Sequence, residues 1–198
     1  MRLILASQST ARRTLLAAAG IPHDAMTPGV DEDVAKDGLR ADGVNARGLA
    51  DALAELKAMR LSLRHPADLV LGCDQTLSRD DDVMLDKPAS REDAAEQLRG
   101  LRGRTHRLIS AAVICEGGRP VWRHVDVAKL SMRSFSDSFL EDYLDAEWPA
   151  IAGCVGGYRL EGPGVQLFDR IDGSHFTIPG LPLLALNDYL RTRGLLKA

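Results

Sequence analysis

Two hydroxyl side chains and an arginine lie close together near the start of the chain, at Ser7, Ser9 and Arg12. They follow an apolar run at residues 2–6 and precede a helix-like stretch that begins at Ala11. A helix N-terminus presents free backbone N–H groups, and these side chains add further donors and a positive charge. The pattern is typical of a phosphate-binding loop. It is equally typical of an ordinary capped helix with a solvated arginine, and it leaves both interpretations open.

A carboxylate follows the second apolar run of the chain. Asp74 comes directly after residues 68–73, and open α/β sheets bind their ligands at the carboxyl ends of such strands. A carboxylate there can hold a divalent cation or accept a proton from water. Aspartate is also common in turns that end strands, so its position alone does not decide between a site residue and a turn residue.

Three further charged residues are candidates as a group: Glu32, Lys57 and Lys87. Each taken alone is typical of a solvated surface charge. Lys57 borders an apolar stripe, a position that suits either a lysine extended along the surface or a lysine that faces a ligand. Together with Asp74 and Arg12 they offer two carboxylates for a metal ion, and two lysines and an arginine for a polyphosphate.

Several other chemistries lack their motifs. The five histidines show no metal-ligand spacing, and neither a Walker phosphate loop, a complete dinucleotide fingerprint nor a nucleophile elbow is present. The cysteines at 73, 115 and 154 form no Cys-x-x-Cys pair, which disfavours a disulfide framework and a zinc knuckle. The neighbouring carboxylate of Asp74 would disfavour a thiolate at Cys73, so we interpret that side chain as small and buried.

Strands and helices alternate along the chain. The apolar runs and periodicities predict strands at 2–6, 68–73, 105–115 and 119–133, and helices at 11–19, 44–61, 90–100, 136–146 and from 183 to the C-terminus. The 44–61 helix would bury Leu49, Leu53 and Leu56. This mixture predicts an α/β fold: a single mixed-sheet domain over residues 1–198, with helices on its faces and a central cleft, or alternatively two lobes.

The segments between these elements carry turn and loop signals. Residues 23–42 show no clear period and are predicted to be irregular, and residues 80–82 to form a solvated hairpin tip. Five glycines within residues 153–164 predict a loop that needs unusual backbone angles or close approach. Asp172-Gly173 indicates a tight turn between the apolar segments 165–168 and 176–178.

The composition excludes several classes of protein. The 198 residues are 45% hydrophobic and 27% charged, with a net charge of −3. This balance argues against a polybasic nucleic-acid binder and against a disordered acidic chain. An aromatic content of 5% also disfavours a single-stranded nucleic-acid binder. Arg12 and Arg13 interrupt the early apolar run, so we expect neither a signal peptide nor a membrane span, and we expect a reducing cytoplasm.

Nine short segments form an ordered set that spans nearly the whole chain. They are Leu3–Ser9 with Arg12, Val30–Glu32, Leu53–Ala58, Leu71–Gln75, Asp86–Pro88, Gly103–His106, Tyr158–Gly162, Leu167–Gly173 and Gly180–Leu183. Taken in order, they resemble the Maf family of nucleoside triphosphate pyrophosphatases. No single segment is decisive, but the ordered set is highly specific.

This resemblance implies a cytoplasmic enzyme, often a homodimer, that hydrolyses nucleoside triphosphates, including modified or non-canonical ones, to the monophosphate and pyrophosphate. Hydrolysis of such nucleotides would prevent their misincorporation into nucleic acids, and the reaction would need Mg²⁺ or Mn²⁺. The family's roles would make Asp74 the proton acceptor, Glu32 with Asp74 the metal ligands, and Ser7, Arg12, Lys57 and Lys87 polyphosphate contacts. The alternative is a nucleotide-binding regulator of cell division with little turnover.

Two positions bear on the base of the substrate. Gln75 and Glu161 resemble the branch of the family that acts on 7-methyl-GTP, and a carboxylate can pair with a guanine N–H edge or a cationic methylated base. Thr10 and Ala11 depart from the family's usual opening, and Ala11 stands where that branch carries a tryptophan that would stack on the base. Gln75 and Glu161 predict a guanine-like preference, and Ala11 offers no aromatic ring to stack on the base.

Overall fold

The computed structural model describes residues 1–197. Its strands are β1 (Leu3–Ala6), β2 (Asp24–Met26), β3 (Leu69–Arg79), β4 (Met84–Leu85), β5 (Thr105–Glu116), β6 (Arg119–Met132) and β7 (Phe168–Asp172). Its α-helices are α1 (Thr10–Ala18), α2 (Glu32–Ala41), α3 (Ala46–Ser62), α4 (Arg91–Leu101), α5 (Asp137–Glu147) and α6 (Leu183–Thr192). Short 3₁₀ turns occupy Pro163–Leu167 and His175–Thr177.

The strands form one mixed sheet, which confirms the predicted α/β class. Its order is β2-β1-β3-β5-β6-β7, with β4 paired to β3 beside this path. The β1 strand runs parallel to both of its neighbours, whereas the β3–β4 and β6–β7 pairs are antiparallel. All four residues of β1 are buried, as expected for a short apolar strand covered on both faces.

The chain divides into two compact units. One comprises Met1–Gln75, Ile109–Asp126 and His175–Ala198, of which the described part ends at residue 197, and the other comprises Thr76–Leu108 and Val127–Ser174. We call them the first and the second unit. The first unit's core joins β1 and β3 to α1 and α6 through side chains such as Leu5, Leu16, Leu71 and Leu186, each of them fully buried. The second unit buries apolar side chains of α4 and α5.

The prediction that residues 23–42 are irregular is wrong. Residues 24–26 form β2, which pairs with β1, and Glu32–Ala41 form α2, capped by the Asp31 side chain, which accepts from the Val34 N–H. None of the α2 residues is buried. The sequence nevertheless carries signals for this helix: Val34, Ala35 and Leu39 recur at helical spacing, and a capping aspartate precedes an acidic first turn.

Two further points concern the segments around the Asp172-Gly173 turn and the apolar face of α3. Most of residues 165–168 and most of residues 176–178 lie in 3₁₀ turns, and the strand before the turn is Phe168–Asp172, which pairs with β6. The predicted turn at Asp172-Gly173 is confirmed, because Gly173 has a φ of 126°. In α3, Leu56 is 39% exposed rather than buried, whereas Leu49 and Leu53 are buried as predicted.

Other local predictions are confirmed. Residues 80–82 form the tip between β3 and β4, where Asp82 has a φ of 61°. The glycine-rich segment has the special geometry expected of it: Gly156 and Gly157 have positive φ, and a Cβ at Gly164 would lie 2.2 Å from the Arg159 carbonyl oxygen. Within residues 1–197, no helix combines the length and the apolar character that a membrane crossing requires.

Candidate active site

A buried ammonium group joins two of the predicted site carboxylates in the first unit. Lys57 Nζ lies 2.7 Å from Asp74 Oδ1 and 2.8 Å from Glu32 Oε2. The side chains of Lys57 and Asp74 are 5% and 8% exposed, and that of Glu32 is 36% exposed. Lys57 therefore does not extend along the surface, which was one of its two possible roles. Two carboxylates and one ammonium leave this trio with a formal charge of −1.

A glycine in β3 allows this trio to form. A Cβ at Gly72 would lie 2.0 Å from the Ala54 carbonyl oxygen and 2.7 Å from the Ala58 nitrogen. The α3 backbone therefore packs directly against β3, which only a residue without a side chain permits. Lys57 belongs to the same stretch of α3, and Asp74 follows Gly72 by two residues. The close contact thus brings ammonium and carboxylate within hydrogen-bonding distance.

One oxygen of Asp74 has no partner within the described residues. Oδ1 accepts from Lys57, whereas Oδ2 is buried and engages no polar atom of residues 1–197. Buried polar atoms are nearly always paired, so an orphaned carboxylate oxygen points to a water or an ion. No cluster of three or more His, Cys, Asp or Glu side chains suited to a metal occurs within residues 1–197. Two carboxylates still fit Mg²⁺, which commonly takes only one or two and completes its shell with phosphate oxygens and water.

Arg12 is held by neutral acceptors. Its Nε donates to the Gly180 carbonyl oxygen over 2.9 Å, and its Nη1 donates to the Cys73 carbonyl oxygen over 3.1 Å and to Ser7 Oγ over 3.3 Å. These contacts fix the direction of the guanidinium and leave its positive charge uncancelled. The residue immediately before Asp74 thus also supplies a carbonyl to Arg12.

The predicted hydroxyls lie at the start of α1. Ser9 is its N-cap and accepts from the Arg12 N–H over 3.4 Å. Ser7 is buried, and its Oγ accepts from the Ser9 N–H over 3.2 Å. The strand–loop–helix arrangement predicted for a phosphate cradle is therefore present, and Arg12 projects from its first turn.

Gln75 is also tied to the protein. Its Nε2 donates to Ser110 Oγ and to the carbonyl oxygens of Thr177 and Ile178, over 2.9, 3.0 and 2.9 Å. An amide nitrogen has only two hydrogens, so both are engaged within the chain. A ligand at Gln75 could use only the carbonyl oxygen, Oε1.

The other two predicted site residues belong to the second unit. Lys87 follows β4 and is exposed, and Glu161 is exposed at the end of the glycine-rich loop. Cys73, which we interpreted as small and buried, is completely buried, and burial raises the pKa of its thiol to about 11. That side chain therefore belongs to the core and is protonated at neutral pH.

Backbone carbonyls were missed by the sequence reasoning. The Cys73 and Gly180 carbonyls orient Arg12, yet every residue has a carbonyl, so residue type gives no signal. Gly180 carries one indirect sign. Its φ is 97°, and a Cβ there would lie 3.1 Å from Arg12 Nε and Nη2, so a glycine is required at a point of close approach.

Comparison with known proteins gives a consistent result. A family model described as Maf-like protein matches residues 2–193. The chain is 50% identical over 192 residues to a nucleoside triphosphate pyrophosphatase of Roseobacter denitrificans, covering 97% of this chain and 96% of that protein. It is 51% identical over 194 residues to one of Rhodospirillum rubrum, covering 98% and 96%. A solved HAM1 protein from Coxiella burnetii is similar at a TM-score of 0.43 and 13% identity, over 67% of this chain and 73% of that chain, which is too distant to carry an argument.

Proposed function

The chain belongs to the Maf-like protein family, and from that premise we propose that it is a nucleoside triphosphate pyrophosphatase. It hydrolyses its substrate to the nucleoside monophosphate and pyrophosphate. The observation that carries this function is the buried Asp74 Oδ2, which is unpartnered within the described residues and lies in a carboxylate whose other oxygen is held by Lys57. The names of two relatives about half identical over nearly the whole chain support the same reaction.

Asp74 acts as the base. A water molecule at Oδ2 gives its proton to the carboxylate as its oxygen bonds to the α-phosphorus. The bond between that phosphorus and the oxygen bridging to the β-phosphorus breaks, and pyrophosphate leaves with the bonding electrons. Lys57, 2.7 Å from Oδ1, keeps the carboxylate oriented during this transfer. Positioning and charge neutralisation account for most of the catalysis in phosphoryl transfer.

Arg12, Ser7 and the α1 N-terminus bind the polyphosphate. The guanidinium is oriented by two carbonyls and a hydroxyl, and its Nη2 hydrogens are the donors that we assign to a phosphate oxygen. Ser9 supports this arrangement by capping the helix. We assign Lys87 to the same substrate group, because an exposed ammonium suits a phosphate charge.

Glu32 and Asp74 are the residues that would hold a divalent cation, Mg²⁺ or Mn²⁺. When bound, such a cation neutralises phosphate charge and polarises the phosphoryl oxygens. The fit rests on the carboxylates themselves, which converge on one positive centre, the Lys57 ammonium. The formal charge of −1 on the trio attracts a cation, whereas the uncancelled charge of Arg12 attracts an anion.

We assign the base contact to Glu161 and Gln75. The Glu161 carboxylate is exposed, and its oxygens can accept from the N–H edge of guanine. Gln75 offers only Oε1, because its amide hydrogens are bound within the chain. The two oxygens of the Glu161 carboxylate can accept from the adjacent N1–H and N2–H donors of guanine, whereas uracil and thymine offer only N3–H, which favours a guanine-like base. The three cysteines are free, which agrees with a reducing cytoplasm as the place of action.

The first test is pyrophosphate release from a panel of nucleoside triphosphates with Mg²⁺ or Mn²⁺, comparing the wild type with Asp74→Asn. The panel holds the four ordinary bases, dTTP and 7-methyl-GTP. We expect metal-dependent release by the wild type and a loss of at least about 100-fold in Asp74→Asn, because the amide keeps the shape but cannot take the proton.

Each other outcome of this panel has a definite meaning. Near-normal turnover by Asp74→Asn would contradict the role of Asp74 as base. Nucleotide binding without any release by the wild type would support the binding regulator instead. A catalytic efficiency for dTTP and UTP about tenfold above every purine would contradict the guanine-like preference.

A further inference from the structure

We infer that Ser110 and Thr177 are positioning residues for the Arg12 guanidinium, acting through the Gly180 carbonyl. All four residues belong to the first unit, and no motif in the sequence indicated a role for Ser110 or Thr177. The inference rests on the proposed function, since it concerns how the polyphosphate-binding arginine is oriented. A chain of hydrogen bonds carries it, from β5 to the turn before α6 and from that turn to α1.

The first link is a clamp on the carbonyl of Thr177. Ser110 Oγ donates to this oxygen over 2.7 Å and accepts from Gln75 Nε2 over 2.9 Å. Gln75 also donates to the same carbonyl and to that of Ile178. The Thr177 hydroxyl in turn donates to Asp126 Oδ2. Both hydroxyl residues are fully buried, at 0% exposure, so the bond from Ser110 Oγ to the Thr177 carbonyl is shielded from bulk water.

The second link leads from Thr177 to Arg12. The Gly180 N–H donates to the clamped Thr177 carbonyl over 3.1 Å, which closes a tight turn. The Gly180 carbonyl then accepts from Arg12 Nε over 2.9 Å. Gly180 has a φ of 97°, and a Cβ there would lie 3.1 Å from the guanidinium, so the backbone meets Arg12 at close range. The position of the Thr177 carbonyl therefore determines where Gly180 meets Arg12.

Burying the hydroxyls of Ser110 and Thr177 costs free energy of folding unless they are hydrogen-bonded. Ser110 lies in the buried part of β5, next to Ala111 and Ala112, both 0% exposed. An apolar residue there would avoid the cost of burying a hydroxyl, which is recovered only when every bond is made. The clamp can supply what an apolar residue cannot, a fixed direction for one carbonyl. Displacements of about 1 Å in a positioning group can cost on the order of 100-fold in rate.

A double-mutant cycle tests the inference, with Ser110→Ala, Arg12→Ala and the combination. The measurements are kcat/KM on the best nucleotide of the panel and the Kd for inorganic tripolyphosphate by titration calorimetry. We expect Ser110→Ala to weaken both by about tenfold in the wild-type background and by less than about twofold when Arg12 is already alanine. The matched control is Ser62→Ala, another fully buried serine of the first unit, whose Oγ accepts from the Gly118 N–H. We expect it to change neither quantity.

Equal losses from Ser110→Ala with and without Arg12 would overturn the inference, because a purely structural role does not depend on that guanidinium. Thr177→Val, which removes one hydroxyl and keeps the shape, gives the same cycle should Ser110→Ala fail to fold. Failure of the proposed function is distinguishable. If the wild type releases no pyrophosphate, the proposed pyrophosphatase activity is contradicted. The double-mutant cycle on the Kd for tripolyphosphate still supports or overturns the positioning role of Ser110 and Thr177.

Discussion

Two arginines, one in each compact unit, are held in opposite ways. In the first unit, Arg12 donates to two backbone carbonyls and a serine hydroxyl, all of them neutral. In the second unit, Arg159 grips the Glu147 carboxylate with Nε and Nη2, over 2.6 and 3.2 Å. That carboxylate is only 4% exposed. The first guanidinium is oriented with its charge intact, and the second is oriented by a group that cancels its charge.

The difference separates a ligand-binding charge from a structural one. A polyphosphate needs positive charge that the protein has not already neutralised, and neutral acceptors provide orientation without neutralisation. A buried carboxylate such as Glu147, in contrast, needs a partner of its own to remain in the interior. We therefore expect substitution of Arg12 to reduce activity, and disturbance of the second unit's buried groups to reduce stability.

The largest effect should come from Arg12→Ala. Loss of a charged hydrogen-bond donor to the polyphosphate should lower kcat/KM on the order of 100-fold, equal to about 2.7 kcal/mol. The melting temperature should change little, because Arg12 is only half-buried and water can reach the acceptors that lose its bonds. Steady-state kinetics with a thermal melt measures both. Arg13→Ala, an exposed arginine one position along α1, is the control and should retain full activity.

The comparison between the two arginines fails if Arg12→Ala unfolds the protein with its remaining activity per folded molecule unchanged. Arg12 would then be structural, like Arg159.

The second effect concerns the buried His106 of the second unit. Burial lowers the pKa of this imidazole from 6.5 to about 4, and its Nε2 lies 2.6 Å from the Tyr158 hydroxyl oxygen. Between those two values the unfolded chain binds a proton at this histidine and the folded chain does not. Stability is therefore retained at neutral pH and lost as the pH falls, by about 2 kcal/mol from about pH 7 to about pH 5.

Urea unfolding across this pH range measures the slope, and His106→Gln, which does not titrate, should flatten it. A slope that is the same in both proteins would assign the acid sensitivity to other groups.

The elements that hold the Arg12 site were largely predictable, since each carries a local signal. The apolar runs indicated β1 and the first half of β3, and the hydroxyls before α1 indicated its cap, so Arg12 could be placed in the first turn of α1. Asp74 was expected directly after its strand, and that prediction is wrong, because β3 continues past it to Arg79. Glu32 could be named as a candidate but was not placed, because residues 23–42 were predicted to be irregular. The helical spacing of Val34, Ala35 and Leu39 and the Asp31 cap were the signals that could have placed it at the start of α2.

The way the site is held could not be predicted. The direction of Arg12 depends on backbone carbonyls brought from distant parts of the chain, and a carbonyl carries no residue-type signal. The internal engagement of Gln75 likewise depends on Thr177, 102 residues away. For the same reason, Arg12 and Arg159 look alike as sequence letters, and only their acceptors distinguish them.

The smallest effect should come from Arg159→Ala. Glu147 would lose both of its bonds to the guanidinium, which normally costs 1–3 kcal/mol or more for a buried group. The Arg159 side chain is 42% exposed, so water reaches that side of the pair and we expect a loss of only about 1 kcal/mol. Equilibrium denaturation measures this loss. The kcat/KM should stay within about twofold of the wild type, since the Glu147 carboxylate already neutralises this guanidinium and it therefore does not bind a phosphate.

Glu147→Gln sharpens the result, because it removes the charge and preserves the shape. If Arg159 is structural, Glu147→Gln should release its guanidinium without any gain in tripolyphosphate affinity. A fall in kcat/KM in Arg159→Ala as large as that in Arg12→Ala, at unchanged stability, would instead make Arg159 a second phosphate ligand. Salt-bridge pairing would then no longer distinguish a structural arginine from a binding one in this protein.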